Sequence, residues 1–63
     1  MAKYTHPNFG DSKWYYLSGN VHGMFTLKEY RNGCYATQLT MTKTDANNMM
    51  ERLIQNGWQE SNR

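Results

Sequence analysis

Cysteine and proline each occur once in these 63 residues. No apolar stretch approaches the roughly 20 residues that a membrane-spanning helix needs. Cys34 alone cannot form an internal disulfide, so no crosslink supports a core this small. Aliphatic side chains are also scarce, with only eight residues being Leu, Ile, Val or Phe. Such a fraction signals disorder when it accompanies high net charge, but the net charge here is only +2. The start Met1-Ala2-Lys3-Tyr4 lacks the apolar stretch of a secretory signal. Together with the single cysteine, this gives cytoplasmic residence as the expectation.

What the chain does have is nine aromatic residues and five methionines. These supply the apolar surface that aliphatics usually provide, so a fold is expected. Residues 1–12 hold the proline and no periodic pattern, and read as an irregular N-terminal lead-in. Residues 13–58 read as one domain, and residues 59–63 as a frayed tail. Strands are expected over about 13–18, 24–30 and 35–42, the last two rich in the threonines that suit a half-exposed pleated surface. Ala46, Met49, Met50, Leu53 and Ile54 then recur at the spacing of one helical face. Thr42 or Thr44 offers a hydroxyl N-cap, Asp45 complements the helix dipole, and Gly57 followed by Trp58 reads as a left-handed stop with an apolar fold-back. The expected fold is α+β: a three-stranded antiparallel β-sheet with one C-terminal α-helix packed on one face, in the order β-β-β-α.

Register decides which side chains share a face. A two-residue Asn32-Gly33 loop would set Thr26 opposite Leu39 and scramble the apolar side. A three-residue Arg31-Asn32-Gly33 loop pairs Phe25 with Leu39 and collects Phe25, Leu27, Tyr35, Leu39 and Met41 beneath the helix. The bulged three-residue turn is therefore expected. The connection around Gly19-Asn20 leaves open whether Trp14 and Tyr16, or Tyr15 and Leu17, join the other face.

Residues that could carry chemistry are thin. His6, His22 and Cys34 have no short metal-ligand spacing, so no metal site is expected. Cys34 has no histidine in sequence reach and reads as a bystander thiol. Asp11, Glu29, Asp45, Glu51 and Glu60 are scattered, and the glycines at 10, 19, 23, 33 and 57 read as turn or cap residues. The expectation is a protein that is not an enzyme and takes no cofactor.

The remaining candidate is the sheet face turned away from the helix. Trp14, Tyr16, Met24, Thr26, Lys28 and Tyr30 are expected there, with Arg31 beside them and Cys34, Ala36, Gln38 and Thr40 on the neighbouring strand. Exposed aromatics and methionine near a few cations have the composition of an interface core. The first expectation is a small regulator or inhibitor docking on a larger protein through this face. The second is duplex DNA binding by the same face, with Thr26, Lys28, Gln38 and Thr40 reaching base edges and Lys3, Lys13, Arg31 and Lys43 on phosphates. The thin basic complement ranks it second. Self-pairing of the face about a twofold axis, giving a homodimer, is a third use.

Trp14, the Leu17-Ser18-Gly19 turn entry, the Phe25-Thr26-Leu27 strand and the helix from Ala46 to Gly57 resemble the bacterial cell division modulator CedA. The β3α order is also similar to the arm-binding domains of tyrosine recombinases. Both resemblances imply a sheet that engages double-stranded DNA. In size and composition the chain also looks like bacteriophage proteins that block a host enzyme or defence complex.

Overall fold

The computed structural model describes residues 2–19 and 22–61. Five strands form one antiparallel sheet: β1 (Ala2–Thr5), β2 (Lys13–Gly19), β3 (Phe25–Arg31), β4 (Cys34–Met41) and β5 (Gln59–Ser61). A 3-10 turn at Gly10–Ser12 precedes β2, and α1 (Lys43–Gln55) links β4 to β5. The spatial order is β4-β3-β2-β1-β5. The architecture is thus α+β with one helix on an antiparallel sheet, but the sheet has five strands where three were expected.

Both additional strands come from segments read as irregular. The lead-in supplies β1, which pairs with β2 through Tyr4 opposite Tyr15 and with β5 through Tyr4 opposite Glu60. Within the expected tail, Gln59–Ser61 is the short edge strand. Ala2 and Tyr4 alternate with Lys3 and Thr5, but four residues are too few for that alternation to stand out in the sequence. β1 exists because both of its edges are paired and because Tyr4 is fully buried.

The helix is legible in full. Thr42 is its N-cap, accepting a hydrogen bond on Oγ1 from the Asp45 N–H at 3.3 Å. At the other end the Trp58 N–H donates to the Leu53 carbonyl at 2.9 Å and the Gly57 N–H to the Ile54 carbonyl at 3.1 Å. These two bonds, with Gly57 at φ +94°, make the Schellman closure the sequence predicts. The core gathers Tyr4, Leu17, Leu27 and Met41 from four strands against Ala46, Leu53 and Trp58. Met49 and Met50 pack at its border, whereas Ile54, assigned by spacing to the same face, is 55% exposed.

The β3–β4 hairpin corrects the expected turn. Asn32 (φ +53°) and Gly33 (φ +81°) are both left-handed, as a two-residue type I′ loop requires. Arg31 faces Cys34 and Tyr30 faces Tyr35, but Glu29 faces Thr37, so Ala36 is an extra residue in β4. Beyond this bulge Phe25 pairs with Met41 and Leu27 with Leu39. The register differs by two residues from the three-residue loop, and a shift of two preserves the face of every side chain. The apolar side therefore survives with a different turn. Ahead of the bulge the faces invert: Tyr35 stands beside Tyr30 on the side away from the helix, and Cys34 shares the side of Arg31.

The N-terminal segment is tied to the helix end. The His6 ring accepts at Nδ1 from the Asn8 N–H (3.1 Å), which leaves Nε2 to donate to the Asn56 carbonyl (3.0 Å). His6 also meets Trp58 edge-on at 5.2 Å, and Phe9 stacks on Trp58 at 5.6 Å. His6, which lacks metal-ligand spacing in the sequence, is a structural clasp.

Candidate binding face

The register places Lys3 and Thr5 of β1, Trp14, Tyr16 and Ser18 of β2, Thr26, Lys28 and Tyr30 of β3, and Tyr35, Gln38 and Thr40 of β4 on the face opposite the helix. Trp14 and Tyr16 are thereby the β2 aromatics of this face, while Tyr15 and Leu17 point beneath the helix. Seven of the expected interface residues come together here: Trp14, Tyr16, Thr26, Lys28, Tyr30, Gln38 and Thr40. Thr26 and Thr40 lie opposite each other with hydroxyls 3.5 Å apart. Four expected residues fall elsewhere: Cys34 shares the side of Arg31, Ala36 is the bulge residue, and Met24 and Arg31 also leave the face. Met24 precedes β3, and Arg31 stands on the helix side of the sheet, ion-paired with Glu29.

Four residues of the face, Lys3, Thr5, Ser18 and Tyr35, were not among those expected on it. Lys3 entered the sequence reading only as a phosphate contact of the DNA expectation, and Tyr35 was assigned to the wrong side because a bulge at Ala36 has no sequence signature. Lys3 and Tyr35 complete a row across four strands. The Lys3 ammonium lies 4.3 Å from the Trp14 ring centre. Trp14 and Tyr30 stack with centroids 4.1 Å apart and planes 7° from parallel. Tyr35 meets Tyr30 edge-on at 6.1 Å.

This geometry sets what the row can do. Neighbouring strands are about 4.8 Å apart, so rings stacked across them stand upright on the sheet. Trp14 is enclosed between Tyr30 and the Lys3 ammonium, whereas Tyr35, at the end of the row, is 55% exposed. Such a row offers apolar edges and polar rims. Its stacked pair turns inward the ring faces on which nucleobases would stack.

Charge is arranged as sharply. Lys3 and Lys28 flank Tyr16 across the strands. Among the described residues no carboxylate stands on a strand of this face: Glu29 and Glu60 belong to the helix side and Asp45 and Glu51 to α1, while Asp11 of the 3-10 turn lines a shallow recess with Lys3 and Trp14 at its border. Among the described residues no group of three or more His, Cys, Asp and Glu could hold a metal ion, and no helix is long and apolar enough to cross a membrane. Cys34 is an exposed free thiol.

One titration is displaced, on the helix side. Tyr4 is fully buried and its hydroxyl lacks a partner at hydrogen-bonding geometry. Burial raises its pKa above the ordinary tyrosine value, and the negative charge of Glu60 on the paired strand raises it further.

No family model matches the chain, and no curated protein or solved structure matches it either.

Proposed function

We propose that this chain is a small non-enzymatic binding module, a cytoplasmic regulator or inhibitor that docks on a larger protein through the open sheet face. The observation that carries the reading is the row Lys3–Trp14–Tyr30–Tyr35, in which Trp14 is enclosed between Lys3 and Tyr30 and Tyr35 abuts Tyr30 edge-on. Upright aromatics in a field of Thr, Gln and Ser, with two lysines on the strands and one carboxylate, Asp11, at the border, fit the amphipathic anchors of a protein interface. The charge of the face directs it to an acidic patch on the partner, where unlike charges speed encounter and fix register.

Duplex DNA remains the second reading, supported by the same cations. Arg31 is turned away and paired, so the face offers two lysines for phosphates. Two contacts correspond to a slope of about −2 in log K against log salt, well short of the roughly six to ten contacts of tight binders.

The test compares wild-type protein with Tyr16→Ala and Tyr30→Ala. Immobilised wild type is expected to retain a defined protein partner from extract of its source cell. Each substitution is expected to weaken capture by about 2 kcal/mol, as interface hot spots do. A labelled duplex is expected to show no saturable binding at micromolar protein. Saturable duplex binding that weakens with salt, with capture unchanged by either substitution, would replace this reading with the DNA one.

A further inference from the structure

The two edges of the sheet differ in how they are protected. β5 is three residues long and carries Glu60. β4 is eight residues long, and its sequence CYATQLTM has no charge, proline or glycine. Natural edge strands avoid unwanted pairing by being short, by carrying lysine or proline, or by bulging. β4 has only the bulge at Ala36, near the hairpin tip. From Thr37 to Thr40 the strand is regular and solvent-exposed, with no strand on its outer side.

The helix side of this edge is equally bare. Leu39 is 57% exposed although it pairs with core residue Leu27. Two open grooves meet at Leu39 and Met49: one of about 350 Å³ running over Tyr15, Leu27 and Leu53 to Glu29, whose charge is met by Arg31, the other of about 380 Å³ running past Asp45, Asn48 and Arg52. α1 does not cover β4, and an apolar trough lies between them.

We propose that a second copy of this chain fills the trough, its β4 pairing antiparallel with β4 across a twofold axis perpendicular to the sheet. This uses the β4 edge, not the open face, and so stands apart from the docking reading above. Such an axis keeps paired residues on the same face, so both helices lie on one side and Leu39 packs beside its own copy. The charge pattern selects a second copy as occupant. Asp45 and Arg52 flank Met49 along α1, four residues before it and three after. In an antiparallel arrangement about Met49, Asp45 of each chain faces Arg52 of the other, giving two identical unlike-charge contacts. An isologous interface requires that self-complementarity. The uncharged β4 adds no repulsion, and the ten strands of the pair leave only the short β5 edges open.

The test is mass by sedimentation equilibrium from micromolar to submillimolar protein, with circular dichroism to confirm folding. Wild type is expected to pass from 7.4 kDa to twice that mass with rising concentration. Leu39→Lys, which sets two ammonium groups side by side, is expected to weaken association at least tenfold. Asp45→Arg and Arg52→Asp are each expected to weaken it severalfold, and the double exchange to restore it. Restoration is informative even if Leu39→Lys fails to fold. A wild-type mass that stays at 7.4 kDa overturns the proposal. So does a dimer insensitive to these changes but dissociated by Tyr16→Ala, which would place the second copy on the open face.

Discussion

His6 Nε2 donates to the carbonyl of Asn56, fifty positions along the chain, and that contact lies directly over Gly57. A Cβ built on Gly57 would stand 2.8 Å from the same nitrogen, and Gly57 sits at φ +94°. One position is therefore reserved for glycine twice, by backbone conformation and by the ring above it. His6→Ala is expected to cost about 1–2 kcal/mol, from one hydrogen bond and its ring contacts. Gly57→Ala is expected to cost more, since the left-handed conformation alone costs about 1–2 kcal/mol and the clash adds to it. In the double variant the clash is gone. Its loss should fall short of the sum by about 1 kcal/mol, measured by urea unfolding, because residues in contact are not additive. Strict additivity would mean that the ring does not sit over the glycine.

Tyr4 gives the chain a pH dependence of known sign. Its folded pKa is raised by burial and then by Glu60. In the unfolded chain it ionises at its ordinary value, about 10. Between those two values the folded state keeps a proton that the unfolded state has lost. The stabilisation is therefore complete below pH ~10 and is lost as pH rises through the folded value. Tyr4→Phe removes this contribution. It also removes a buried hydroxyl that lacks a partner at full hydrogen-bonding geometry and whose nearby acceptor is Glu60, so at neutral pH the variant should stay within about 1 kcal/mol of wild type. Urea midpoints from neutral pH into the alkaline range should show the variant gaining on wild type above pH ~10. Parallel curves would show that the phenol ionises alike in both states.

The Trp14–Tyr30 stack is the premise of the docking reading and can be checked without any partner. Aromatic pairs contribute about 0.5–1.5 kcal/mol beyond their buried area. A double-mutant cycle with Trp14→Ala and Tyr30→Ala should return a coupling of about 1 kcal/mol. Lys3→Ala should cost about 0.5–1 kcal/mol through the lost cation–ring contact. A coupling near zero would mean that the ring faces are open, and base stacking would regain its place.

The sequence made the helix and the apolar side of the hairpin legible because both rest on periodicity, and periodicity survives local error. The hairpin shows why. Loop length and bulge were both misassigned, yet Phe25, Leu27, Leu39 and Met41 kept their side because the two errors together shift the register by two residues. Tyr35, between turn and bulge, had no such protection and changed sides. Strand β1 was illegible for another reason. Ala2–Thr5 has too few residues for alternation to show, and its strand conformation comes from neighbours at positions 14–17 and 59–61. Losing β1 also lost Lys3 from the candidate face.

Hydrogen exchange distinguishes a genuine interior β1 from a lead-in resting on the surface. β1 pairs on both sides, with β2 and with β5, and holds the fully buried Tyr4. β5 pairs on one side only. Amides that open only with global unfolding report the full stability, about 3–5 kcal/mol for a core of this size, which corresponds to roughly two to four decades of protection. The inward-bonded amides of Lys3–Thr5 should therefore exchange as slowly as those of Tyr15–Leu17. The amides of Gln59–Ser61 should exchange faster, because the last strand can detach while Tyr4 stays covered by the helix. If the Lys3–Thr5 amides exchange at unprotected rates while β2 and β3 remain protected, the sheet is three-stranded in solution. Lys3 would then leave the binding face, and the row on it would shrink to its three rings.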